Sequence, residues 1–312
     1  MAARAAATPG ANSYLGFDAE IERLRAELVA WLQDADVEVR DALQWQFGGG
    51  SKYFRPLTVF TCYTGLYEGR VPPEVVRAAV VIELVHNVSL VVDDILDRSE
   101  QRRGRITLHR RFGELPALIV SGYIVADAYR RLCDDPFAIR MISELMSRLG
   151  VAECMQWRLR RQPLGVADWR RIASEDTGSM FEVCACLGTR TEELRRFGHL
   201  LGVLYHGCDD VGDVRGGAAL GGGGAEDLRD GILTLPAALA VQDPAVAAIF
   251  VDPQPSEAGL RAMAEAFRAR LPEAEQYLDY IAAEARVEAR RVAENFEPLI
   301  ALVDQTRRLS SR

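Results

Sequence analysis

Two short acidic runs have a spacing that serves chemistry. Asp93-Asp94-Ile95-Leu96-Asp97 and Asp209-Asp210-Val211-Gly212-Asp213 each set their first and last aspartates four residues apart. On a helix that places them on one face, a turn apart. Each run closes an apolar helical stripe, 82–96 and 200–211. Three carboxylates at an apolar helix end repel one another and are costly unless a cation sits between them. Hard divalent ions with oxygen ligands meet that need, and Mg²⁺ takes one or two carboxylates together with water and substrate phosphates. A solvated acidic helix face explains one such run; two, both following apolar helices, favour a metal.

Two basic segments accompany them. Gly48-Gly49-Gly50-Ser51-Lys52-Tyr53-Phe54-Arg55-Pro56 and Arg102-Arg103-Gly104-Arg105 each join glycine to fixed cations, a combination suited to phosphate oxygens. Taken singly, either is ordinary surface charge. Lys52 is the only lysine among 37 basic residues. His86 lies seven residues before Asp93 and close to the same helix face, where a lone histidine is more often structural than chemical.

The elements that must position these residues read as helices. Apolar residues recur at helical spacing over 17–31, 75–96, 117–132, 136–159, 167–187, 192–211 and 233–240. The segment 257–307 reads as two or three amphipathic helices packed outside the rest, with Ser256 as a cap and Pro272 beginning a new helix. No run alternates with period two, so no sheet is expected. Breaks fall at 48–50, 113–116, 216–224 and 252–255. The expected organisation is a flexible N-terminus (1–16) followed by a single helical domain (17–312) with a mobile glycine-rich loop at 216–226.

Composition agrees. With 312 residues, 49% hydrophobic and 26% charged, the chain is no disordered polymer. A net charge of −8 without a basic run argues against nucleic acid. Six cysteines without a C-x-x-C pair read as thiols of a reducing compartment. The longest apolar run, 78–85, is too short to span a membrane, and the first residues do not read as a secretory signal. A soluble, cytoplasmic protein is expected. Trp31, Trp45, Trp157 and Trp169 are assigned to core or interface.

Over 48–236 the chain resembles the trans-isoprenyl diphosphate synthases of the polyprenyl synthetase family. Five segments match in order: Gly50 to Pro56, His86 to Asp97, Arg102 to Thr107, Tyr205 to Asp213, and Asp227 to Pro236. The resemblance implies an all-α bundle around a deep central cavity, usually homodimeric, binding prenyl diphosphates through two or three Mg²⁺ ions. It places Asp93, Asp94, Asp97, Asp209, Asp210 and Asp213 at metal-binding, catalytic positions and Arg102 on the allylic diphosphate. Lys52, Arg55, His86 and Arg103 fall on the isopentenyl diphosphate site, and Thr177 and His206 on further substrate-binding positions. Gln156 matches a cavity-wall glutamine. One turn above the first aspartates, where the family sets product length, stand Val88 and Ser89; their small size favours C20 or longer products.

Departures accompany the matches. Asp176 and Ile232 stand where the family usually has lysines that grip the allylic diphosphate, His206 stands for a glutamine and Tyr53 for an arginine. Arg160, Arg161, Arg215 and Arg229 are the available substitutes. The implied activity is condensation of an allylic diphosphate with isopentenyl diphosphate. The alternatives are prenyl transfer to another acceptor such as an indole glycerol phosphate, a terpene cyclase on the same fold, and a non-catalytic partner subunit.

Overall fold

The computed structural model describes residues 15–216 and 224–311. Most of the expected N-terminal segment and the centre of the expected loop at 216–226 lie outside the described residues. The chain begins with α1 (Asp18–Asp34), α2 (Val37–Phe47), α3 (Phe54–Leu66) and α4 (Pro73–Leu96), then forms a hairpin of β1 (Gln101–Arg102) and β2 (Arg105–Ile106). Next come α5 (Leu108–Phe112), α6 (Glu114–Arg131) and α7 (Pro136–Leu159). A π-helical turn (Ser174–Gly178) joins α8 (Val166–Ala173) to α9 (Ser179–Thr189). The rest is α10 (Arg195–Arg215), α11 (Gly224–Asp230), α12 (Leu235–Ala240), α13 (Pro244–Phe250), α14 (Glu257–Ala269), α15 (Leu271–Val292) and α16 (Glu297–Arg307), closed by a 3₁₀ turn (Arg308–Ser311).

The fold is all-α, as expected, with one correction. Arg102 pairs with Arg105 and Gln101 with Ile106 in a small antiparallel ribbon. Its two-residue turn puts Arg103 at φ 54° and Gly104 at φ 72°, the left-handed pair that suits a tight hairpin. Two residues per strand are too few for alternation to show in sequence.

The core is built from helices buried on every side. Every residue of α9 is buried. Helix α4 has a mean hydropathy of 1.9 and is 78% buried over its most apolar stretch. By length and composition it could cross a membrane, which corrects the reading that no stretch approaches that length; here it is a core helix. Helices α9 and α10 touch backbone to backbone. A Cβ on Gly198 would lie 2.4 Å from the Phe181 carbonyl oxygen, and one on Gly202 2.5 Å from that of Thr177. Glycine at these positions lets α10 lie directly on α9 (Gly198) and on the π-turn (Gly202).

The C-terminal helices are not outside the bundle, contrary to expectation. Gly207 of α10 accommodates Leu278 of α15, whose side chain a Cβ would meet at 2.6 Å. Leu278, Ile281, Ala285 and, from α16, Leu299 and Leu302 are fully buried. The amphipathic stripe that suggested a surface helix is a core contact. The boundaries at Pro136–Leu159 and the start after Ser256, whose hydroxyl accepts from Gly259 N at 3.1 Å, follow the sequence reading.

Candidate functional site

The first acidic run closes α4. Arg102, on β1, donates from Nη2 to Asp93 Oδ2 and from Nε to Asp94 Oδ1, both at 2.7 Å. Asp97 caps the helix and pairs with Arg160. Of the four substitute arginines, Arg160 is the one seen paired with Asp97 of the first run. Arg215 pairs with Glu275, Arg229 with Asp230, and Arg161 bonds the carbonyls of Asp252 and Arg229. Burial, with Asp97, Glu153 and Asp176 nearby, pushes the Asp93 carboxyl well above its usual range although Arg102 opposes this.

The second run lies on the last turns of α10. Asp210 Oδ2 accepts from Trp169 Nε1 at 2.7 Å and from Leu235 N at 2.8 Å. Trp169 is therefore both core and support of the site, which corrects its assignment to core or interface. Asp209 Oδ1 is buried and has no hydrogen-bond partner among the described residues. Burial, with Asp213 and Asp210, raises Asp209 to about 7 against the pull of His206 and Lys52. These oxygen-only donors, one of them buried and unmatched, fit a hard divalent cation. Among the described residues no three such side chains already converge into a metal cage.

The two rows sense each other. Asp227, on α11, is pushed well above its usual range by burial and by Asp210, Asp213, Asp97 and Asp93 together. Asp176, on the π-turn, acts on Asp93 and lies 3.3 Å from His206 Nδ1, while His206 Nε2 is 3.9 Å from Asp210 Oδ1. Burial alone would lower His206, but Asp210, Asp176 and Asp209 raise it to about 9. Asp176 is held below the usual range, against its burial, by His206 and by Thr177, whose hydroxyl donates to it at 2.9 Å. Thr177 Oγ1 is also 3.0 Å from His206 Nδ1. The position expected to lack a cation thus has one, supplied from α10.

Arg55, on the first turn of α3, donates Nη1 to His86 Nε2 at 3.0 Å and lies over the rings of Phe181 and Tyr205. Burial and three arginines keep His86 well below its usual value, hence neutral, with its proton on Nδ1. Neither His86 Nδ1 nor Arg55 Nε has a hydrogen-bond partner among the described residues. Arg103 Nη1 donates to Gly50 O at 2.8 Å, so the hairpin and the glycine-rich turn meet. Lys52 acts on Asp209 across the site. Val88 is buried, and half-buried Ser89 donates its hydroxyl to the His86 carbonyl at 2.8 Å.

Sequence reasoning missed Glu83 and Glu153. Buried Glu83 lies one turn before His86, and Glu153 one turn before Gln156. Burial, Asp176 and Asp97 raise Glu153 to about 7. Helical spacing from residues already singled out would have found both.

Residues 36–258 match the polyprenyl synthetase family. The chain belongs to that family. This polyprenyl synthetase is 27% identical over 309 residues to a nonaprenyl diphosphate synthase of Mycobacterium tuberculosis, covering 92% of each chain. It is 28% identical to the octaprenyl diphosphate synthase of Escherichia coli over 65% of this chain and 66% of that one. In structure it is similar to a polyprenyl synthase from Caulobacter crescentus complexed with calcium and isoprenyl diphosphate. That match has TM-score 0.86 and 22% identity, over 96% of this chain and 97% of the other.

Proposed function

We propose that this prenyltransferase condenses an allylic prenyl diphosphate with isopentenyl diphosphate, giving a longer prenyl diphosphate of C20 or more. The carrying observation is a set of buried polar atoms left unmatched on both sides of the site. Among the described residues Asp209 Oδ1 has no donor, and Arg55 Nε and His86 Nδ1 have no acceptor. Buried polar groups without partners are costly, and a metal-bound diphosphate opposite a second diphosphate supplies both kinds.

Asp93, Asp94, Asp97, Asp209, Asp210 and Asp213 would hold two or three Mg²⁺ ions, whose charge would offset that of the leaving diphosphate. Arg102 aligns Asp93 and Asp94, and Trp169 with the Leu235 amide aligns Asp210, so the rows need little rearrangement. Protonated His206 and Thr177 face the allylic diphosphate. Lys52, Arg55, His86 and Arg103 orient isopentenyl diphosphate. After the allylic C–O bond ionises, the isopentenyl double bond attacks the cation, and the departing diphosphate takes the proton released as the new double bond forms. The apolar walls of α4 and α9 exclude water from the cation.

We assign a homodimeric, cytoplasmic enzyme. Support for the dimer comes from α6, where Leu115, Leu118 and Ile119 are 68%, 50% and 59% exposed on one face. Support for the compartment comes from six free cysteines.

The test is incubation with Mg²⁺ and C5, C10, C15 or C20 allylic diphosphates, with and without isopentenyl diphosphate. Longer diphosphates formed only when isopentenyl diphosphate is present uphold the proposal. A volatile product without it indicates a cyclase. Substrate intact in every tube indicates another acceptor or a silent subunit.

A further inference from the structure

We propose that Trp45 is a positioning residue: it anchors the β1–β2 hairpin to the glycine-rich turn before α3, so that Arg103 meets the same diphosphate as Lys52 and Arg55. Its effect on the diphosphate depends on the elongation reading above, whereas the anchoring of the hairpin does not.

A ribbon with two residues per strand does not hold its own shape in water. One side of this hairpin is open. A cavity of about 520 Å³, lined by Gln101, Arg103 and Gly104 of the hairpin and by Glu226 and Arg229 of α11, separates the two elements. The ion pairs of Arg102 with Asp93 and Asp94 fix Arg102 but not the residue after it. Arg103 has like-charged neighbours in Arg102 and Arg55; burial and both of them lower its pKa against the opposite pull of Tyr205 and Glu83. Something must keep it in place.

The remaining side carries Trp45, near the end of α2 and only partly buried. Its Nε1 donates to the carbonyl of Ile106, the last residue of β2, at 3.0 Å. The guanidinium carbon of Arg105 lies 4.2 Å from the indole centroid, and that of Arg111, on α5, lies 3.8 Å from it. Stacked there, Arg105 reaches the glycine-rich turn; a Cβ on Gly49 would stand 3.1 Å from its Nη1. Arg103 completes the link through Gly50 O. One indole thus joins α2, β2 and α5 beside the turn that carries Lys52. The same ring also packs against the edge of the buried core, so anchoring of the hairpin has to be separated by experiment from support of the fold.

The experiment compares Trp45→Ala and Trp45→Phe with wild type by hydrogen exchange and steady-state kinetics. In Trp45→Ala, amides of 99–107 exchange about tenfold faster while α4 and α10 stay protected. The KM for isopentenyl diphosphate rises about tenfold, whereas kcat and the KM for the allylic substrate stay within about twofold, because Arg102 keeps its own ion pairs. Trp45→Phe keeps a ring for both arginines and recovers most of the loss. Unchanged exchange in the hairpin, or an unchanged KM for isopentenyl diphosphate despite faster exchange, overturns the proposal. So does loss of protection across α4 and α10, which makes Trp45 a general fold residue. If wild type elongates nothing, the functional reading falls by itself. Hairpin exchange and calorimetric binding of isopentenyl diphosphate then decide the role of Trp45, and a Trp45→Ala protein matching wild type in either overturns it.

Discussion

His206 Nδ1 lies 3.3 Å from Asp176 Oδ2, tying α10 to the π-turn between α8 and α9. The family pattern has glutamine and lysine at these two positions. Here the cation has moved to α10, and part of its charge is spent on Asp176. His206→Gln therefore leaves Asp176 with the Thr177 hydroxyl but without its charged partner, and the allylic KM rises about tenfold or more. The double variant Asp176→Lys, His206→Gln restores the usual arrangement and recovers wild-type affinity. A double-mutant cycle on allylic KM measures the coupling; losses that simply add would show the two residues acting independently.

The same pair sets a pH dependence. His206 has its folded pKa raised from 6.5 to about 9, so its contribution to stability is complete below pH 6.5 and is lost as pH climbs through about 9. Asp209 and Glu153, both raised to about 7, are protonated in the fold at a pH where the unfolded chain has released those protons. Their effect also lowers stability with rising pH, but between about 4 and 7. Buried neutral His86 acts in the opposite sense below about pH 6.5, so the loss of thermal stability in metal-free protein should be clearest from about pH 7 to pH 9, where His206 titrates. His206→Gln should flatten only the upper part of that curve. Thermal melts at constant ionic strength decide; a wild-type optimum above pH 8 contradicts both assignments.

Mg²⁺ should reverse the acidic part of this trend. A cation between the rows stabilises the fold by mass action, and does so more at pH 7.5 than at pH 5, where protons compete for the same oxygens. Asp93→Ala and Asp209→Ala should each abolish most of the Mg²⁺-dependent rise in Tm and reduce turnover by about three orders of magnitude or more. Near-normal turnover in either variant would refute the metal assignment.

Much of this site is visible in the sequence because metal and phosphate chemistry demand fixed residue types at fixed spacing. The aspartates at i and i+4, and glycine beside lysine or arginine, are local patterns, and helical periodicity carries them onto α4 and α10. The supporting groups obey no such rule. Trp169 reaches Asp210 across 41 residues, and Trp45 reaches Ile106 across 61. A tryptophan chosen for such a contact looks in sequence like any other core residue. The π-turn is hidden for another reason: one extra residue in the hydrogen-bonded ring leaves the apolar stripe over 167–187 nearly continuous while rotating Asp176 and Thr177 toward His206. The C-terminal helices were misjudged because an amphipathic stripe says that a face is buried, not against what.

Product length offers a test in which the two candidate residues should behave differently. Ser89 is four residues before Asp93, on the same face of α4 and half-buried, its hydroxyl turned back to the His86 carbonyl. Val88 is 6% exposed and belongs to the core. On the proposed function, a ring at residue 89 would extend along the face that carries Asp93 toward the growing chain, whereas a ring at residue 88 enters packed side chains. Ser89→Tyr should thus shorten the main product by at least one C5 unit with little change in Tm. Val88→Phe should lower stability by about 1–3 kcal/mol through overpacking, with a smaller effect on length. Mass spectrometry of products from a C15 primer, beside thermal melts of both variants, separates the two. Unchanged length in Ser89→Tyr would place the floor of the tunnel on another helix, and a shorter product from Val88→Phe at full stability would show that residue 88, not 89, faces the chain.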